Sequence, residues 1–329
     1  HPRMQRFARL LDDGYLSVVQ GVGYPNPSDE HAAAMRIWQT ADSTQRHGRT
    51  GWLGRAADLA RNADSVGVSA LLAAGIAPPL ALNAARTIVP RVSANGGPLF
   101  QMVPSRTRDE HLQRMRQAAQ PPRAGNRLLD FVRLSTLAAH EKCRQLEKVV
   151  AAERSGPAVD YPDTRLADSL RTVARLVRAE VGVRIFYTEL GGDGFGGFDN
   201  HANQQGNHGA LLHQLSEAVS AFAADLRRDR LLDRVVLMTF SEFGRTLAEN
   251  GRRGTGHGSA APMFLVGGQV RSGLVGPHPS LTDLENGGPK HHTDFRRVYA
   301  ALLDHWLKLD SRTILGDRFQ PADVLTSKG

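Results

Sequence analysis

The chain has 329 residues, 41% hydrophobic and 22% charged, an ordinary globular balance with enough length to bury a core without disulfide or metal staples. No run of eighteen apolar residues occurs, which excludes a membrane-spanning helix. The single cysteine, Cys143, excludes an internal disulfide and a thiolate metal cluster. The formal charge of +8 comes from scattered arginines with no run of five basic residues, and aromatics make up only 6%. That pattern fits a solvated basic surface rather than a nucleic-acid interface.

In chain order, RMQRFARLLDDG reads as a helix ended by Gly14. YLSVVQGVGYPNP follows as a short buried strand broken by glycine and proline. EHAAAMRIWQTA and GWLGRAADLARN read as helices. VGVSALLAAG and PPLALNAARTIV, both flanked by glycine or proline, read as strands. Residues 105–154 are charged and leucine-spaced, which predicts helices around Pro121 and Pro122, with Cys143 an inert thiol among them. RLADSLRTVARLVRAEV sets Leu166, Leu170, Val173 and Val177 on one helix face.

The second half has a clearer pattern. VRIFYTEL reads as a strand leading into the glycine-rich GGDGFGGFDNH. HGALLHQLSEAVSAFAADLRRD is a long amphipathic helix with Leu211, Leu215, Val219, Phe222 and Leu226 on one face. DRVVLMTFSEFGR and APMFLVGGQV read as buried strands, and TDFRRVYAALLDHWLKL as a closing helix. The alternation of strand and helix predicts an α/β fold with a mostly parallel central sheet and helices on both faces. No repeat and no domain boundary is evident. Residues 1–329 read as one domain, with 105–180 a helical insertion or cap over the sheet.

Functional groups in such folds gather at the carboxyl ends of strands. Three places qualify. In Gly196-Gly197-Phe198-Asp199-Asn200-His201, carboxylate and imidazole together suit zinc, iron or manganese; the alternative is a turn capped by Asp199 and Asn200. His208, at the start of the long helix, is a ligand candidate or has no special role. In Ser241-Glu242-Phe243-Gly244-Arg245, Glu242 could ligate metal and Arg245 could grip an oxyanion bidentately; the alternative is an ion pair between the two. In Gly254-Thr255-Gly256-His257-Gly258-Ser259, flanking glycines suggest a histidine presented from a tight loop, against a plain surface loop. Thr293 or Asp294 suits a helix cap, and His291 and His292 stay open as candidates.

These stretches, with GVGYPNP, IWQTAD, GLVGPHPSL and TDFRRVYAALL, resemble in order and spacing the bacterial DUF1501 family, from about residue 15 to about residue 306. That family, of unknown function, is related to the alkaline phosphatase and sulfatase superfamily. The resemblance implies an alkaline-phosphatase-like sheet holding one or two divalent metals, zinc, calcium, manganese or magnesium, and a metal-activated nucleophile acting on phosphate or sulfate esters. It assigns Asp199, His201, Glu242 and His257 to the metal, and His31 and Arg245 to catalysis. It also implies a twin-arginine export signal ahead of the domain and a periplasmic or extracellular home.

Three departures from the family pattern stand out. Where the family has Ser-His-Phe, with an attractive nucleophilic serine, this chain has Glu30-His31-Ala32. The family's Thr-Asp-His-Gly reads Thr255-Gly256-His257-Gly258. A strand and an Asp-Gly loop expected ahead of His1 are absent, and the chain opens without an initiator methionine or a signal peptide, so a trimmed or divergent member is expected. The leading expectation is a metal-dependent hydrolase of small-molecule or glycan esters. The alternative is a non-catalytic anion- or carbohydrate-binding surface protein of the same fold.

Overall fold

The computed structural model describes residues 1–44, 48–60, 70–73, 77–92, 159–191 and 197–326, with isolated positions between 110 and 149. The helices expected within 105–154, the cap they would form, Cys143 and the glycines at 192, 194 and 196 lie outside the described residues or touch them only at isolated positions. No described helix is long and apolar enough to cross a membrane.

The opening helix α1 (Gln5–Asp12) buries Phe7 and Leu10 and ends as its sequence dictates, with Gly14 at φ +84°. Strand β1 (Leu16–Gly23) follows, then α2 (His31–Thr40), α3 (Trp52–Ala60), β2 (Ala70–Ala73) and β3 (Arg91–Val92). Helix α4 (Arg165–Arg178) is capped by Thr164, whose hydroxyl accepts from the Ala167 N–H at 3.2 Å, and it buries Leu166, Leu170 and Val173. After β4 (Ile185–Tyr187) comes α5 (Gln204–Arg228), which buries Leu211, Val219, Phe222 and Leu226. The remaining strands are β5 (Val236–Met238), β6 (Gly244–Arg245), β7 (His257–Gly258), β8 (Ala261–Gly267), β9 (Gly273–Val275), β10 (Leu284–Glu285), β11 (Gly288–Pro289) and β12 (Thr293–Asp294). Helix α6 (Phe295–Ala301) is capped by the Asp294 carboxylate, continues as a π-helical turn over Leu302–Leu307, and precedes α7 (Ser311–Leu315).

The strands separate two apolar layers. Along β2, Ala70 and Leu72 join one layer, Leu71 and Ala73 the other. Along β8, Met263 and Leu265 join the first and Val266 the second. Helices α2, α3, α6 and α7 cover the first layer, and α1, α4 and α5 the second, so helices lie on both faces. Strand β1 keeps to this partition through a bulge. Its pairing with β8 shifts between Val19 and Val22, around Gly21 at φ +55°, which turns Val22 onto the layer of Val19 rather than that of Leu16 and Val18. A Cβ on Gly21 would lie 2.2 Å from His292 Nε2, so this bend needs glycine twice over.

Two expectations are corrected. The five-stranded sheet is mixed, not mostly parallel: β8 runs antiparallel to both β1 and β5, while β9 and β12 run parallel to β1. Among the described residues, only the separate sheet β3-β2-β4 is all parallel. No helix connects β5 to β8, so nothing provides the crossover that parallel strands require, and the chain reverses. The second correction concerns PPLALNAARTIV, which forms a 3-10 turn at Leu80–Leu82 and irregular chain instead of a strand. Pro78 and Pro79 supply no N–H for a ladder.

Candidate metal centre

Four segments meet beyond the end of the mixed sheet at which β1 and β5 finish. The carboxyl end of β1 leads to Asp29 and to His31, the first residue of α2. The loop after β4 carries Asp199 and His201, and the chain leaving β5 carries Glu242 and Arg245. Because β8 is antiparallel to β1 and β5, its amino end lies at the same end of the sheet, and β7, just before it, carries His257.

Of the residues that the resemblance assigns to metal or catalysis, His31, His201, Arg245 and His257 contact Asp199 directly, and Glu242 joins them through His31. Asp199 Oδ1 lies 2.7 Å from His201 Nε2, 3.1 Å from His257 Nε2 and 2.7 Å from Arg245 Nη1. Its Oδ2 lies 3.1 Å from His31 Nε2, while His31 Nδ1 lies 2.9 Å from Glu242 Oε1. Ser241 donates to the other Glu242 oxygen at 2.8 Å. Phe243 stacks on the His257 ring at 4.1 Å and packs against His31 at 4.9 Å.

Electrostatics follow this geometry. Partial burial pushes the Asp199 carboxyl up, but hydrogen bonds from Arg245 and His257, and the His201 and His31 rings, outweigh it and hold it at about 2. Glu242 is likewise lowered: burial opposes ionisation, and the bond from His31 wins. The His31 pKa is raised, chiefly by the hydrogen bond to Glu242 and then, against burial, by Asp199. With a carboxylate at each ring nitrogen, His31 donates from both when protonated.

Among the described residues, His31, Asp199 and His257 offer ligand-type atoms that all lie within 4.8 Å of one another. His201 adds a further nitrogen, 2.9 Å from His257 Nε2. The donor chemistry fits a cation. His257 Nδ1 sits 2.7 Å from the Asp29 carbonyl, an acceptor, so Nδ1 carries a proton and Nε2 is the nitrogen turned toward the cluster. Nε2 points at Asp199 Oδ1 at 3.1 Å, donating to it when protonated and open to an ion beside it when deprotonated. The Asp199, His201 and His257 donor atoms are 2.7–3.1 Å apart. Tetrahedral ligands at zinc bond lengths stand roughly 3.3 Å apart, so a small outward relaxation accommodates an ion.

The local sequence explains why these side chains hold still. Asn200 is buried; its amide donates to Gly197 O at 3.1 Å and accepts from Asn207 at 2.6 Å, so Asn200 holds the turn while Asp199 faces the cluster instead of capping the backbone. Asn250 Nδ2 donates to the His201 carbonyl at 3.1 Å, and its Oδ1 accepts from the N–H groups of Arg252 and Gly254. At Gly254 a Cβ would sit 2.2 Å from the His201 carbonyl carbon, so only glycine lets this loop clamp the His201 backbone.

Arg245 does not pair with Glu242. Its Nε donates to Thr255 Oγ1 at 2.9 Å, its Nη2 to the Thr255 carbonyl and its Nη1 to Asp199. His257 is not on a free loop: β7 pairs antiparallel with β6, setting it opposite Arg245. His208 meets Phe198 edge-on at 5.4 Å and accepts from Gln204 Nε2 at 3.0 Å. His292 and His291 pack beside Gly21 and Gly23 of β1. Asn250, Thr255 and Gln204 were not singled out from the sequence. The Asn250-Gly251 turn pair and the place of Gln204 at a helix start were the available signals.

The family described as protein of unknown function (DUF1501) matches residues 17–316, and the chain belongs to it. No curated protein and no solved structure matches the chain.

Proposed function

Starting from membership of a family whose function is unknown and from the cluster around Asp199, we propose that this protein holds a divalent metal ion on Asp199, His201 and His257 and hydrolyses phosphate or sulfate esters beside it. The single observation that carries the metal is the convergence of Asp199 Oδ1, His201 Nε2 and His257 Nε2 to within 3.1 Å of one another. A divalent ion bound there would supply Lewis acidity toward an ester oxygen and lower the pKa of water. The chain's own residues do the rest. Arg245 orients the Asp199 carboxylate, Phe243 covers one face of the His257 ring, and His31, held between two carboxylates, keeps a proton next to the cluster. The resemblance to exported proteins favours a periplasmic or extracellular setting and a small-molecule or glycan ester as substrate.

The test is a chelator-stripped protein titrated with Zn2+ or Mn2+ and assayed on aryl phosphates and aryl sulfates. The expected result is stoichiometric binding, metal-restored turnover, and loss of both in Asp199→Ala. Failure of Zn2+, Mn2+, Mg2+ and Ca2+ alike to bind would end the proposal. A second reading, a non-catalytic anion- or carbohydrate-binding protein of the same family, draws on Glu30, an exposed residue at the start of α2 where the family pattern has serine. Metal binding without turnover of any ester would favour it.

A further inference from the structure

The arginine at the centre of the site has its guanidinium turned inward. Each of its three nitrogens already carries a bond: Nη1 to Asp199, Nε to Thr255 Oγ1, and Nη2 to the Thr255 carbonyl. The Nε and Nη2 pair grips one residue with both prongs, the fixed fork that a lysine cannot reproduce. Thr255 Oγ1, having accepted from Arg245, donates onward to Gln204 Oε1 at 2.7 Å. Gln204 is the first residue of α5 and uses its amide nitrogen on His208 at 3.0 Å. Arg245 also lies opposite His257 in the β6–β7 ladder, and Thr255 precedes His257 by two residues. One guanidinium therefore ties the Asp199 loop to the strand carrying His257.

We infer that Arg245 is a positioning residue, fixed by Thr255 and Gln204, that sets which face of the Asp199 carboxylate meets His201 and His257, and that it is not the group that grips a substrate oxyanion. The inference rests on the metal reading above. It predicts that a hydroxyl two residues from His257, contacting none of the proposed ligands, controls metal affinity. Outer partners of metal ligands typically contribute about 10–100-fold in affinity.

The experiment is titration calorimetry of chelator-stripped full chain with Zn2+, together with inhibition by inorganic sulfate. Thr255→Val should weaken Zn2+ binding by about tenfold or more, with the metal-free melting temperature unchanged, and Thr255→Ser should restore it. Arg245→Lys should weaken Zn2+ binding at least as much. Gln204→Ala, one bond further from the ligands than Thr255, should give a smaller loss in the same direction and covers the case in which Thr255→Val does not fold. Wild-type Zn2+ affinity in Thr255→Val, or in Gln204→Ala if the former does not fold, would overturn the inference while leaving the metal reading intact. So would an Arg245→Lys protein that loses only sulfate inhibition. A wild-type chain that binds no metal would overturn both.

Discussion

Asp199 answers to four side chains, and the two carboxylates flanking His31 give that ring an unusual load. A histidine whose folded pKa is raised contributes its full stabilisation below the unfolded value of about 6.5, and loses it as pH rises through the higher folded value. In metal-free protein, the His31 ring protons followed by NMR should therefore titrate with a midpoint above that of a free histidine, and Glu242→Gln should bring the midpoint down. A midpoint at or below the free value would show that the two carboxylates do not both engage the ring. Close by, Asn250→Ala removes the bond to the His201 carbonyl and two turn bonds. It should lower Zn2+ affinity by about tenfold with little change in metal-free stability, measured by calorimetry and by urea melts.

At the scale of elements, α4 and α5 are joined by a buried carboxylate. Asp225 accepts from Tyr161 at 2.9 Å and from Arg178 and Arg228 at 3.0 Å each, while Asp229 takes the other prongs of both arginines. Asp225→Ala strands a buried tyrosine hydroxyl and part of two guanidinium groups, and should cost about 2–4 kcal/mol in urea denaturation. Asp229 is held at about 2, first by Arg228. Its contribution is present above the unfolded carboxylate value and fades as pH falls toward 2. The stability gap between wild type and Asp229→Asn should close over that window, and a gap independent of pH would contradict the ion-pair account.

Most elements were legible because their evidence is local. The spacing of Leu166, Leu170 and Val173 fixes the buried face of α4, and Gly14 ends α1 with a positive φ. The direction of β8 was not legible, since an apolar run buries itself equally well either way; only the absence of a helix between β5 and β8 hinted at reversal. The two-residue strands β6 and β7 have no periodicity to read, yet they align Arg245 with His257. His31 came only from the family resemblance, whereas Asp199, His201, Glu242, Arg245 and His257 were identifiable by type and by position near strand ends. Their wiring was not, because the bonds of Arg245 to Asp199 and of His31 to Glu242 span 46 and 211 positions of sequence.

For the whole molecule, four segments far apart in sequence supply the site, so an ion that binds the folded chain and not the unfolded one stabilises the fold. At a hundredfold excess over its dissociation constant the gain is about 2.7 kcal/mol. The melting temperature should rise with Zn2+ concentration and fall on chelation, and Asp199→Ala should remove that dependence. Asp199, His201 and His257 are proposed to form one metal site. Anomalous scattering from crystals soaked in Zn2+ tests it most directly. The account predicts a single strong peak at about 2.0–2.2 Å from Asp199 Oδ1, His201 Nε2 and His257 Nε2; an absent peak, with His201 and His257 still bonded to each other, would contradict it.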